Sequence, residues 1–421
     1  MKQKIFKLIA DLRFAIFILL LISLCSIIGT IIEQEQAIEV YKLQYPLNQK
    51  LFGILSWDKI IFFGFDHVYR TKWFFSLIII FGFSLLTCTF LQQVPSIKIA
   101  RRCQFFRRIK QFKKLKLSNI VINQNYNNII SRLKFENYSL FQQKNIFYGY
   151  KGLIGRIAPI IVHFSMIVIL LGTLISSLGG FKAQEVIPKT ENFHVQNIFS
   201  NGKLTKIPNI SGRINDFWIS YTKQKTVAQF YSDISILDNT GNEVKHKTTF
   251  VNSPIIYKNV YFYQTDWNLL GIRINFENTK FSEYPLILTS NNKTKLWLTW
   301  ISNPRDKIEG LIGIVDNLQG YCSIYNNQGL FLGNLEVNEK ISNQDELHLV
   351  EILSSTGLQI KADPGIPIIY SGFFFLMIST FISYITYSQI WIIEKNKRIF
   401  IGGNTTRAFS EFEIEFLNII K

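Results

Sequence analysis

The sequence predicts a polytopic α-helical membrane protein, four transmembrane helices carrying one large all-β extramembrane domain. Three observations predict it. The 48% hydrophobic fraction of the 421 residues is gathered into four long apolar runs. A bilayer core of about 30 Å needs about 20 helical residues, so each run is long enough to cross once. Basic residues crowd the segments that would then share one side: of 46 Lys and Arg, 4 lie before the first run, 14 in residues 94–156 and 5 in the tail. Between the third and fourth runs the pattern changes to alternation with turn residues, as in strands. The expected boundaries are 1–13 inner N-terminus, 14–32 first span, 33–72 outer loop, 73–91 second span and 92–156 basic inner loop. They continue as 157–178 third span, 179–366 outer β domain, 367–393 fourth span and 394–421 inner tail.

A net charge of +17 would suit a nucleic-acid binder, but its distribution follows the positive-inside rule. Arg101, Arg102, Arg107, Arg108, Lys110, Lys113, Lys114 and Lys116 form a juxtamembrane cluster. Anionic lipid attracts such charges by about 1 kcal/mol each. Phe105, Phe106 and Phe112 interleave with them, as in some RNA-binding segments; the neighbouring spans make topology the simpler reading, so membrane lipid is expected and nucleic acid is not. None of the four cysteines forms a C-x-x-C pair, which argues against thiol oxidoreductase chemistry and against covalent haem attachment to this chain. No Walker loop, Ser-His-Asp order, zinc spacing or paired catalytic carboxylates is present. No catalytic residue is assigned.

In chain order, 14–32 lacks a small-residue cleavage site and is longer than a signal-peptide core, so a retained span is expected. The loop 33–72 closes with FGFDHVYRTKW, which places Asp66 and His67 in the aromatic belt at the start of the second span. His67 is a candidate ligand or interface residue, though most such residues are plain interfacial polar groups. In the third span Gly172, Ser176 and Gly180 recur every four residues, a small-residue stripe for close helix contact. In the β domain, 229–237 alternates before the DNTG turn, YCSIY precedes NNQG, and VYFYQTDW at 260–267 is a strand rich in aromatics. Asp363-Pro364-Gly365 and Pro367 suit a helix start. The fourth span presents Ser379, Ser383 and Tyr387 at four-residue spacing, with Trp391 expected at the inner interface, and the tail reads as a short amphipathic segment.

The third run carries the chain's chemistry. His163 lies inside it, seven residues past Arg156. An imidazole in hydrocarbon costs roughly 1–3 kcal/mol or more unless paired, so an intramembrane histidine is read first as functional. The plainer possibility is a neutral histidine bonded to a neighbouring helix. Seven residues bring the chain back to the same helix face after about 10 Å, so a planar metallo-cofactor held by His163 could direct an acidic edge to Arg156. Arg156 is otherwise a positive-inside anchor.

The motifs KGLIGRIAPIIVH (151–163), LGGFKAQE (178–185), NDFWISY (215–221), QFYSDISILDNTGNEV (229–244), VNSPIIYKNVYFYQTDW (251–267), STGLQIKADPGIPIIYSGF (355–373) and SYITYSQIW (383–391) resemble the ResB-like (CcsB-type) proteins of system II cytochrome c biogenesis, in their plastid and cyanobacterial form. The resemblance covers nearly the whole chain except the basic loop. It implies a subunit that, with a CcsA-type haem-handling membrane protein, carries haem b across the membrane. The pair would present haem to apocytochromes c, in a plastid cytochrome f and a soluble c-type cytochrome. The family's transmembrane haem-binding histidine corresponds to His163, the only metal contact expected being through haem iron. The resemblance further implies a thylakoid membrane, or a cyanobacterial or bacterial one, with both termini stromal or cytoplasmic. Any haem-lyase or synthase activity would belong to the two-subunit complex. Abundant Lys, Asn, Ile and Phe agree with an AT-rich organelle genome. The competing function is a membrane-tethered sensor or scaffold with a ligand-binding outer domain. A bis-histidine electron carrier would need a second intramembrane histidine, which this chain lacks.

Overall fold

Four helices are long and apolar enough to cross a membrane: Leu12–Ile31, Lys72–Ala100, Leu153–Gly179 and Ile366–Ser383. The computed structural model describes residues 2–48, 51, 53, 55–122, 126–223, 226–276, 280–291, 294–302, 310–316, 318, 320–337, 340–341, 347–395 and 398–421. It divides into two compact units, Met1–Ile175 with Gly365–Lys421, and Ser176–Pro364.

In the first unit the first two spans start on side-chain caps: Asp11 accepts from the Arg13 N–H and Thr71 from the Phe74 N–H. The second span runs as α-helix to Cys88, makes one π turn over Thr89–Gln93 and resumes as α-helix over Val94–Ala100. Pro95 has no N–H to continue the ladder, and the register slips just before it. The third and fourth spans pack through small residues. A Cβ on Gly172 would lie 2.7 Å from Ile369 Cγ1, and one on Gly372 would lie 2.6 Å from Ile169 Cγ1. The expected stripe therefore acts at Gly172, answered by Gly372 on the facing helix.

The fourth span is shorter than its hydropathy suggested. Its helix ends at Ser383, and Ser388–Lys395 is a strand. SYITYSQIWII is apolar because it becomes a central strand buried on both faces, and a short apolar run cannot tell that state from helix. Tyr387 thus lies beyond the helix, its hydroxyl bonded to the Ala100 carbonyl at 3.0 Å. Trp391 does not sit at a membrane interface: it is 3% exposed, and its Nε1 donates to the Gln104 carbonyl at 2.7 Å.

Nor is the basic segment a loop, and the tail is more than a short amphipathic segment, with strand Arg398–Thr405 ahead of its amphipathic helix Phe409–Ile420. They fold together into a five-stranded antiparallel sheet, in the order Leu117–Ile122, Arg398–Thr405, Ser388–Lys395, Ile146–Lys151, Ser139–Gln143. Helices Tyr126–Phe135 and Phe409–Ile420 supply Ile129, Leu133, Phe412 and Phe416 to a core with Ile390, Ile392 and Ile401. A second cluster joins Phe105, Phe106 and Phe112 to Tyr148 and Trp391, with Phe106 stacked on the indole at 4.5 Å. The phenylalanines between the lysines and arginines are core; Arg101, Arg102, Arg107 and Arg108 beside them are exposed.

The second unit is the β domain. Two long strands, Val260–Phe276 and Leu347–Ala362, pair along most of their length, and Phe181–Pro188 extends the sheet. One end of this ladder packs its Phe262, Leu358 and Ile360 against Ile214, Ile234 and Ile236 of a four-stranded sheet. The other end packs Leu269, Ile272 and Leu349 against Trp297, Val315 and Ile324 of a five-stranded sheet. Both expected hairpins form. Asp238 accepts from the Thr240 and Asn242 N–H groups in the first turn, and Tyr321–Tyr325 pairs with Phe331–Glu336 in the second. Of the aromatics in 260–267, Phe262 is buried in the first of these cores and Trp267 packs on the second. Glu185, 8% exposed, is stabilised as a buried carboxylate by the Gln196 and Asn197 N–H groups, both at 2.7 Å.

Candidate functional site

His163 lies eleven positions into the third helix, half-buried, and faces the π turn of the second span. Its Nδ1 is 2.9 Å from Thr89 Oγ1, and the Thr89 hydroxyl donates to the Leu85 carbonyl at 2.7 Å. A hydroxyl has one proton. With that proton on Leu85, Thr89 can only accept from the imidazole, so Nδ1 carries a hydrogen, and in the neutral ring Nε2 keeps its lone pair. The Leu85 carbonyl is also within hydrogen-bond reach of the ring. His163 is therefore bonded to a neighbouring helix, and in a neutral ring the same bond selects the tautomer that leaves Nε2 able to coordinate. Thr89 was not singled out from sequence. Thr87 precedes it with the same ordinary back-bond, to Phe83 at 2.6 Å, and only the π turn distinguishes the two.

Pro159 lies one turn before His163 and Arg156 about two turns before it. Gly152 and Gly155 make the start of this helix a docking surface for the backbone that leaves the fourth span. A Cβ on Gly155 would lie 1.9 Å from the Ile385 carbonyl oxygen, and one on Gly152 2.0 Å from that of Thr386. This approach brings Tyr387 under Arg156, whose guanidinium carbon is 5.7 Å from the ring centroid. Arg156 Nε is buried without a hydrogen-bond partner. It borders a cavity of about 120 Å³ also lined by Gln93, Ser96, Pro159, Ser383, Thr406 and Arg407. Arg156 is thus more than a charge at the membrane surface.

Asp66 and His67 form a different place. His67 Nδ1 is 2.9 Å from Asp66 Oδ2, on the turn Phe65–Arg70 that precedes the second span. Gln34 ties this turn to the first span by accepting from the Val68 N–H at 2.9 Å and donating to the Phe65 carbonyl at 2.9 Å. Thr89 is some 17 residues along the second helix from its start, so roughly 25 Å separates the His67 turn from His163. The two histidines are not brought together. Among the described residues no three His, Cys, Asp or Glu side chains gather as a metal-binding cluster.

The chain matches the family model described as ResB-like family over residues 12–308 and 323–417. It is 64% identical to the cytochrome c biogenesis protein Ccs1 of Phaeodactylum tricornutum and 62% identical to that of Thalassiosira pseudonana, each over 421 residues and the whole of both chains. The cytochrome c biogenesis protein CcsB of Trichormus variabilis is 43% identical over 427 residues, covering 100% of this chain and 93% of its own. A solved cytochrome c haem lyase, CcmF, overlaps at a TM-score of 0.24 with 8% identity, over 74% of this chain and 30% of that one, too slight a likeness to carry an argument. Four spans, a β-sheet domain between the last two, and a match across nearly all of it lead to one conclusion: the chain belongs to the ResB-like family.

Proposed function

We propose that this membrane protein serves the biogenesis of c-type cytochromes at the haem attachment step, as the subunit that offers haem a path beside its third span. Full-length identity to proteins named for cytochrome c biogenesis supports the general role; it does not favour a sensor or scaffold. The observation that carries the finer reading is the His163–Thr89–Leu85 chain, which in a neutral imidazole leaves Nε2 able to coordinate on an apolar helix. Those residues fit haem: iron takes a neutral imidazole as axial ligand, and apolar walls hold the macrocycle. The group itself supplies the vinyl carbons to which cysteine thiols of an apocytochrome add.

This chain's residues do the rest by holding and orienting. Thr89 fixes the ring and keeps the proton on Nδ1. Arg156 stands about 10 Å along the same helix face, where it can pair a propionate. A CcsA-type haem-handling protein and apocytochromes, cytochrome f and a soluble c-type cytochrome among them, are the partners this role requires, with haem b the form in transit. We place the chain in a thylakoid membrane on its resemblance to plastid and cyanobacterial proteins and its composition, and orient it with the basic segment and both termini stromal and residues 179–366 lumenal by basic-residue asymmetry. Asp66 and His67 would then lie at the lumenal surface, where a partner could meet them.

The deciding experiment is the reduced-minus-oxidised haem spectrum of the chain co-purified with its CcsA-type partner. His163→Gly should lose the haem signal and regain it with added imidazole. Thr89→Val should weaken haem binding about tenfold or more through loss of the supporting bond, and Thr89→Ser should restore it. Spectra indifferent to all three changes would remove His163 as a ligand and with it this reading of the third span.

A further inference from the structure

The cavity beside Arg156 has a composition that neither packing nor topology accounts for. Two cations, Arg156 and Arg407, line it, and among the described residues no carboxylate does. Arg156 is stacked on Tyr387, an arrangement that satisfies the guanidinium face and leaves its edge N–H groups to be paired in plane. Its Nε is out of solvent and has no acceptor. A buried donor left unpaired costs about 1–3 kcal/mol, and more when it is charged. Arg407 stands at the exposed side and donates one N–H to the Ser383 carbonyl at 3.2 Å, at the end of the fourth helix where the dipole favours a cation. That bond engages one of five donors. Gln93, the last residue of the π turn, and Ser96, in the helix that follows it, add neutral polar groups and no negative charge.

A volume of about 120 Å³ is room for a single carboxylate or phosphate group, since a water occupies about 30 Å³ of liquid. It is too small for a porphyrin ring or an acyl chain. Either could extend from it along the third helix, whose Ile154 and Ile157 are 59% and 36% exposed. We propose that this cavity is an oxyanion site, in which Arg156 and Arg407 together hold the carboxylate or phosphate head of an otherwise apolar molecule. The site takes its second cation from the segment after the fourth span, so the tail's sheet completes it. Only the choice of a porphyrin carboxylate as the source rests on the haem reading above; the two-arginine site stands without it.

The test uses the full-length protein in nanodiscs, as wild type, Arg156→Gln, Arg407→Gln and Arg156→Lys. One arm titrates hemin against hemin dimethyl ester, which lacks the free carboxylates. The other arm removes bound lipid and compares retention of phosphatidylglycerol with phosphatidylcholine by native mass spectrometry. A porphyrin carboxylate in the site gives a preference for hemin of about tenfold that both glutamine variants abolish. A lipid phosphate instead gives a phosphatidylglycerol preference abolished in the same two variants. Arg156→Lys keeps the charge without the planar fork and should retain part of either preference, which also serves if a glutamine variant fails to fold. No preference in either arm, or preferences the arginine changes leave intact, overturns the proposal. His163→Gly separates the two ideas: it should abolish the haem spectrum and leave the lipid preference untouched.

Discussion

The two sheet-bearing regions of this protein are built on opposite plans. The β domain is one continuous stretch, from Phe181 to Ala362, in which neighbouring hairpins such as Val227–Leu237 with Glu243–Phe250 flank a ladder that joins the stretch's own two ends. The five-stranded sheet is assembled from two stretches with two membrane spans between them. Its central contacts join Ile146–Lys151 to Ser388–Lys395 and Leu117–Ile122 to Arg398–Thr405. Locally closed pairing costs little chain entropy, whereas distant pairing must first bring remote segments together. In the second plan the spans act as the closing device, because a helix pair packed through Gly172 and Gly372 already holds the two stretches near each other.

The largest expected effect follows from removing one half of the discontinuous sheet. Deleting residues 388–421 takes away two of its three inner strands and the helix that carries Phe412 and Phe416. The remaining strands, Leu117–Ile122 and Ser139–Gln143 with Ile146–Lys151, share no edge with each other. Limited proteolysis should then cut residues 101–151, which resist in the full chain, while the β domain stays resistant. A basic segment still protected after the deletion would show that it folds without the tail and break the comparison.

The glycines sharpen it. Gly155→Val places side-chain atoms into the Ile385 carbonyl, which belongs to the backbone and cannot swing away, so the loss should reach about 3 kcal/mol or more. Gly241→Ala, in the first β-domain hairpin, meets open space and costs only its left-handed φ of +87°, about 1 kcal/mol. Thermal unfolding of the two variants should rank them in that order. Equal losses would mean that the close approach at Gly155 is not what holds the fourth span's exit to the third helix.

This contrast also explains what could be read from sequence. The four spans were legible because hydropathy is a sum over local residues, and the hairpins were legible because alternation and turn residues are local too. The discontinuous sheet left no such trace. Trp391 and Tyr387 look like the end of a helix when read along the chain, and Phe105, Phe106 and Phe112 look like a basic segment's ornaments. What joins them is contact across two spans, Trp391 with Phe106 and Tyr148. The site divides in the same way. An ionisable residue in an apolar run marks His163, and helical spacing places Arg156 on its face. Thr89 and Arg407 are supplied by other elements through contacts that no periodicity encodes.

The smallest effect tests whether the continuous domain stands by itself. Cys322 is fully buried in the β domain, and burial pushes its thiol up to about 12, whereas Cys103 in the basic segment is exposed. At pH 8 a thiol with that pKa is ionised to about one part in ten thousand, against roughly a quarter for an ordinary free cysteine. The sign follows: proton retention favours the folded domain below the unfolded pKa of about 8.5, and this advantage fades as pH rises towards 12. In single-cysteine variants, a maleimide at pH 8 should therefore label Cys103 at once and Cys322 only when the β domain opens. The informative case is the chain lacking residues 388–421. Since every strand of the Cys322 core comes from the one stretch 269–352, its labelling should remain as slow as in the full chain. Fast labelling of Cys322 there would mean that the continuous domain draws its stability from the discontinuous sheet, and the two plans would be one.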